Sequence, residues 1–199
     1  MAALQPAMIR SARLPCELRR YPRMRRIVRG ARVAAGLPLV AASAEGIVRR
    51  HDRDDARYVE YGARCPTVTR VGGPTPDPEG TGTLIAPLWV LTAGHVGDGI
   101  SVRQPLPAVE FAGRRYEIDA VHVHPCFTGA HPAHDLALIQ LKRSVDSVVP
   151  IPIYRGRDEL GRVTTLVGSG FSGTGLTGPS REGWDHQKRA ATNRIERVE

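Results

Sequence analysis

The 199-residue sequence predicts an all-β protein built around a small closed barrel, and three observations carry that expectation. From Glu45 onward, short runs alternate apolar and polar residues at period two, the repeat of a half-buried strand. Turn residues separate the runs, notably Ala112-Gly113 between two strand-like segments. Two apolar runs, Thr83 to Ala86 and Trp89 to Thr92, are joined by a Pro-bearing turn and read as a β-hairpin. Six short strands with regular turns suit closure into a barrel, because closure removes the unpaired edges that an open sheet exposes.

Residues 1–44 stand apart from this pattern. They hold nine arginines against Glu17, while the rest of the chain balances nineteen basic against nineteen acidic side chains, so the net charge of +8 belongs to this segment. A nucleic-acid-binding domain would spread positive charge over a folded face, whereas this segment has neither helical nor strand periodicity; nucleic acid is not an expected partner. Its order is that of a secretory signal. Met24-Arg25-Arg26-Ile27-Val28-Arg29-Gly30-Ala31-Arg32 is a basic n-region, Val33 to Ala42 a short apolar core, and Ala42-Ser43-Ala44 an A-x-A cleavage signature. The expectation is a leader whose biological start is Met24, cleaved after Ala44, and a secreted or periplasmic chain. No run reaches the ~18 to 20 apolar residues of a membrane span, so no membrane partner is expected after cleavage.

Residues 45–61 read as an N-terminal arm in which Ile47-Val48 is an apolar pair. The first barrel is placed at 62–155. Ala63 to Val71 and the hairpin at 80–92 supply its first strands; Ser101-Val102-Arg103, Ala108 to Phe111 and Tyr116 to Val123 continue the alternation. Leu136 to Leu141 reads as a buried strand, and Val148 to Tyr154 closes the series. Three cysteines, Cys16, Cys65 and Cys126, are too few and too scattered for a disulfide framework or a zinc ribbon. Cys16 would leave with the leader. Cys65 and Cys126 could pair in an oxidising compartment, but their spacing does not demand it.

Two stretches carry chemistry. In Gly80-Thr81-Gly82-Thr83-Leu84-Ile85-Ala86-Pro87-Leu88-Trp89-Val90-Leu91-Thr92-Ala93-Gly94-His95-Val96, the second strand stops at a small-small-His corner. An imidazole there is held by rigid backbone on one side and can face solvent on the other, as a general base requires. In Ala133-His134-Asp135-Leu136-Ala137-Leu138-Ile139, an aspartate directly ahead of an apolar strand would be drawn into a water-poor site, where a carboxylate needs a partner. The first stretch closely resembles the chymotrypsin/trypsin-like serine protease family, with its G-[GT]-[ST]-L-I strand, turn and W-V-L-T-A-[AG]-H. The second resembles that family's D-[IL]-A-L-[IL] motif. Both occur in the family's order, forty residues apart.

The resemblance covers about residues 62–196 and implies a chymotrypsin-like double β-barrel, with the first barrel complete and the second, at 156–199, only begun. It implies that His95 acts as base and that Asp135 accepts the imidazole N–H, fixes its tautomer and stabilises the imidazolium. Val163-Thr164-Thr165-Leu166-Val167-Gly168-Ser169-Gly170-Phe171-Ser172-Gly173 is similar to the family's early second-barrel strand and Gly-rich loop. Residues 174–189 then read as a polar loop holding Trp184, and Arg189 to Glu196 as the start of another strand. The nucleophile motif G-D-S-G-G-P is absent from the 199 residues. Ser169, Ser172 and Ser180 lack its context, so no residue is assigned as nucleophile, and the chain reads as C-terminally truncated before it. Val96 stands where the family usually has a cysteine after the histidine. Ile47-Val48 is followed by Arg49-Arg50 rather than the glycines of an activating terminus, so that role is not carried over.

His122, His124, His131 and His134 cluster in sequence and could bind metal by ligand type, but no Cys or carboxylate stands at metal spacing beside them. A structural role is expected, with no metal and no cofactor. Three functions compete. The first is a secreted trypsin-like serine endopeptidase present as a truncated chain, inactive alone, acting on a peptide or protein substrate once completed. The second is a non-catalytic homologue serving as a binding module. The third, a basic polyanion binder, is disfavoured by the confinement of charge to the leader.

Overall fold

The computed structural model describes residues 46–72, 80–103, 106–129, 134–180 and 185–198. The leader, Cys16, His131 and Trp184 lie outside the described residues. Among those described, β1 (Gly46–Arg49) and α1 (Asp55–Ala63) precede six strands: β2 (Val68–Val71), β3 (Gly80–Ala86), β4 (Trp89–Thr92), β5 (Ala108–Phe111), β6 (Arg114–Val123) and β7 (Ala137–Leu141), with α2 (Gly94–Ser101) between β4 and β5. They are followed by β8 (Val163–Ser169), β9 (Phe171–Thr174), β10 (Gly178–Ser180) and β11 (Lys188–Arg194).

The six strands form one antiparallel sheet in the order β2-β3-β4-β7-β6-β5. Its two ends approach each other, where the Thr69 hydroxyl on β2 donates to the Glu110 carbonyl on β5 at 2.6 Å. The barrel is therefore nearly closed, as the alternating sequence predicts. Inward positions carry the core: Val71, Leu84, Val90, Phe111, Tyr116, Ile139 and Leu141 are almost fully buried. Each such side chain contributes roughly 1.5–3 kcal/mol by leaving water. Ladder irregularities between Leu84 and Ala86 and between Ile118 and Ala120 bend β3 and β6, the local kinks that let a sheet curl.

Several elements differ from the sequence reading. Ala63 to Val71 is not one strand: α1 runs to Ala63, and extended pairing begins only at Val68. The 45–61 segment holds β1 and most of α1. Asp54 caps α1 by accepting from the Ala56 N–H at 2.9 Å, and Asp55 in the first turn suits the positive end of the helix dipole. Ser101-Val102-Arg103 is not a strand either, since Ser101 ends α2 and Val102 is its C-cap. In α2, Val96, Gly97 and Ile100 turn one face inward, and Gly97 lets the helix come so near the barrel that a Cβ there would lie 2.5 Å from the Ala137 Cβ. Val148 to Tyr154 forms no ladder and keeps a single main-chain bond, Ile151 N–H to the Leu84 carbonyl at 3.0 Å. Leu136 precedes β7 rather than starting it, and the strand is buried on one face only, with Leu138 36% exposed.

Beyond the barrel, β8 and β11 pair antiparallel, and β9 pairs with β10 on one side and, in parallel, with β1 on the other. Ile47 and Val48 thus sit in register with Ser172 and Gly173. Arg189 on β11 is buried and bridges two carboxylates, Asp55 of α1 at 2.7 Å and Asp185 at 2.6 Å. Lys188 donates to the Cys65 and Val68 carbonyls at 2.6 and 2.8 Å. These bonds fasten α1 and the entry to β2 against β11. Cys65 is a free thiol whose Sγ lies 3.7 Å from the Tyr61 carbonyl, so no Cys65–Cys126 bond forms.

Candidate active site

β4 and β7 are antiparallel neighbours with Thr92 opposite Ala137. The chain therefore leaves β4 at the same end of the sheet where it enters β7. His95, three residues beyond Thr92, and Asp135, two residues ahead of Ala137, are brought together by that register. His95 Nδ1 lies 2.8 Å from Asp135 Oδ2.

A second bond fixes the pair. The His95 backbone N–H donates to Asp135 Oδ1 at 2.8 Å. His95 stands in the first turn of α2, whose N-cap residue, Ala93, offers no side-chain acceptor. The first N–H groups of a helix need an acceptor from outside the helix. Asp135 supplies it from the entry to the neighbouring strand, its negative charge placed at the positive end of α2. One carboxylate thereby caps the helix and orients the ring that the helix carries.

Asp135 is itself held tightly. The Leu136 N–H donates back to the His134 carbonyl at 2.7 Å, a three-residue turn with Asp135 at its centre. His134 adopts φ +64°, a conformation uncommon for residues other than glycine, and its ring stacks on His124 with centroids 4.8 Å apart. The His124 N–H donates to the Leu136 carbonyl at 2.8 Å and closes the other side. A Cβ on Gly94 would lie 3.0 Å from Asp135 Oδ1, the Leu136 nitrogen and the Phe127 ring. The bare glycine before the histidine is thus what lets the helix start approach the carboxylate.

The site is more open than a water-poor pocket. The His95 side chain is 65% exposed and that of Asp135 30%, because β7 and the residues leading into it are covered on one face only. Burial alone would raise the Asp135 pKa, but the His95 backbone N–H, the His95 ring and the Gly94 N–H outweigh it and lower the value. The carboxylate is therefore charged at neutral pH, and as an acceptor it favours the tautomer in which Nδ1 carries the proton and donates to it. Nε2 then carries a lone pair and has no hydrogen bond among the described residues. Such an imidazole can take a proton at Nε2 and share the resulting charge with Asp135.

The sequence-named residues separate clearly. His95 and Asp135 come together. His122 lies against Trp89 with centroids 5.7 Å apart, while His124 pairs with His134. Among the described residues no three His, Cys, Asp or Glu side chains converge as metal ligands, and no serine hydroxyl is hydrogen-bonded to His95. Ser169 sits at the end of β8, its N–H donating to the Thr81 hydroxyl at 3.1 Å, and Ser172 is buried in β9. Sequence reasoning missed Gly94, Phe127 and the His124–His134 stack as the supports of Asp135; the Ala-Gly-His corner was the one available signal, since a glycine beside a functional residue marks close backbone approach.

The family model described as Trypsin matches residues 64–194. This chain belongs to the trypsin family. A trypsin-family fold is also what the solved structures show: neuropsin, a serine protease expressed in the limbic system of mouse brain, superposes with a TM-score of 0.53 at 19% identity, covering 68% of this chain. The chain spans 62% of the length of that neuropsin chain. A search of curated proteins found no match. The shared fold places β4, α2 and β7 in a trypsin-like barrel, and the His95–Asp135 pair stands where that barrel's β4 and β7 meet.

Proposed function

We propose that this chain carries the acid–base half of a serine endopeptidase site, with His95 as general base and Asp135 as the group that orients it and stabilises its charged form. One observation carries the reading: both Asp135 oxygens are spent on His95, one on its backbone and one on Nδ1, while Nε2 has no hydrogen-bond partner among the described residues. In acyl transfer to serine, that nitrogen takes the hydroxyl proton as the oxygen attacks the carbonyl and returns it to the leaving amine. Such chemistry needs a nucleophile, a base and an orienting acid, and these residues supply the last two.

The 199 residues contain no Gly-Asp-Ser-Gly-Gly segment to present a nucleophile and oxyanion-stabilising amides, so the chain does not hydrolyse peptides by itself. Purified full-length chain, assayed with a mixed fluorogenic peptide library and a serine-directed covalent probe, is expected to give neither turnover nor labelling. Turnover that His95→Ala abolishes would overturn this. We also propose export with cleavage after Ala44, supported by the basic, apolar and A-x-A order of the leader; N-terminal sequencing of exported protein that still retained Arg25 and Arg26 would refute it.

The lack of that nucleophile motif in these residues also favours a second reading, a non-catalytic homologue that binds partners. The gene beyond codon 199 discriminates: a Gly-Asp-Ser-Gly-Gly segment in any frame supports the endopeptidase, and unrelated sequence there supports the binding module.

A further inference from the structure

We propose that the groove between α1 and β11 docks an acidic protein segment that carries aliphatic residues among its carboxylates. The groove is open, with a volume of about 840 Å³, and Arg49, Arg50, Arg53, Arg57, Arg64 and Glu60 are among the residues that line it. The neighbouring acids are already engaged. Asp54 caps α1, Asp55 takes Arg49 and Arg189, Asp52 takes Arg50, and Glu60 pairs with Arg64. Arg53 and Arg57 are exposed and have no ion pair among the described residues. Arg49 Nη1 is buried and has no hydrogen-bond acceptor. Residues 46–64 thus set five arginines against four acids, and the positive charge left over belongs to Arg53 and Arg57.

Spacing and floor define the occupant. Arg53 and Arg57, the two without an ion pair, stand four positions apart at the start of α1, so the groove suits neighbouring carboxylates of one segment rather than one small ion. Guanidinium forks match carboxylates two-point and favour them where geometry is fixed. The lining also includes Leu166 and Val48, which are 58% and 48% exposed. A purely polar chain such as a sulfated sugar gains little from these two side chains. A peptide with leucines between its glutamates covers them while meeting the arginines, the combination of apolar centre and charged rim found at protein interfaces. This surface does not include His95 or Asp135, and the proposal stands whether or not the chain takes part in proteolysis.

The test is fluorescence anisotropy of a short labelled peptide with leucines spaced among glutamates, titrated with the full-length chain at about 50 mM and about 300 mM salt, a range over which exposed charges become screened. Saturable binding that weakens with salt is expected. Arg53→Glu/Arg57→Glu should weaken it about tenfold or more, since rim charges govern such encounters, and Leu166→Ser should weaken the Glu–Leu peptide but not an all-Glu peptide. Both sites are exposed, and circular dichroism will show whether the fold is retained; Arg53→Ala/Arg57→Ala supplies the same comparison if charge reversal perturbs it. The leader variant Arg25→Ala/Arg26→Ala should bind as the parent chain does. The proposal is overturned by no saturable binding at low salt, by groove variants that bind as well as the parent, by loss of binding in the leader variant, or by a sulfated oligosaccharide that outcompetes the Glu–Leu peptide.

Discussion

Asp135 divides its two oxygens between a ring and a main-chain N–H, and this makes it matter to folding as well as to chemistry. Asp135→Asn leaves one side of the group offering N–H donors where an acceptor is needed. The loss of a helix cap and of a charged hydrogen bond is expected to cost about 1–2 kcal/mol, read as a lower urea midpoint. Gly94→Ala is expected to do more damage at the site, because the new methyl meets Asp135, Leu136 and Phe127 together at 3.0 Å. Overpacking of that kind costs about 1–3 kcal/mol, and the imidazole N–H proton resonance of His95 should lose the signature of its carboxylate bond. The pair itself was legible in the sequence, because each member stands in a short contiguous motif. The bond from the His95 N–H was not, since a backbone donor carries no residue type to read. Nor was the His124–His134 stack, which depends on a left-handed turn at His134 that no pattern of apolar residues announces.

The strands were legible where alternation was strict: Ala108 to Phe111 and the hairpin of β3 and β4 stand close to where period two places them. The helices were missed for opposite reasons. α2 contains three glycines in eight residues, a composition that hides helical propensity, and tertiary packing against Ala137 overrides it. α1 had a usable signal, Asp54 and Asp55 at its start, but it packs on β11, over a hundred residues later in the chain, through Gly62, its one buried residue, so that little in its apolar content marks the contact. That contact is fastened by Arg189, 2% exposed between Asp55 and Asp185. Arg189→Met is expected to destabilise the chain by about 1–3 kcal/mol, less than a fully buried pair would, because both aspartates keep about a third of their exposure. The change should show as faster hydrogen exchange in α1 and β11, with the amides of β3, β4 and β7 unaffected.

Acid behaviour follows from three aspartates acting together. Hydrogen bonding to Arg189 lowers the pKa of Asp55 and draws that of Asp185 down to about 2. For Asp135 burial opposes the shift, yet its N–H partners still lower it. A carboxylate whose folded pKa is depressed contributes stability above its unfolded value of ~3.9 and loses it as pH falls through the folded one. The melting temperature is therefore expected to stay level from about pH 7 to pH 5 and to drop from about pH 4 toward pH 2. In Arg189→Met that drop should be shallower, because Asp55 and Asp185 lose the guanidinium that separates their folded and unfolded values. The pairing of β1 with β9, Gly46 opposite Phe171, joins the first described strand to one made far later. On a ribosome adding roughly 5–20 residues per second, the barrel strands through Leu141 emerge some seconds before β9 does. During that interval β1 has no β9 to pair with, so a chaperone would meet this strand while it is still unpaired, with the barrel behind it already able to close.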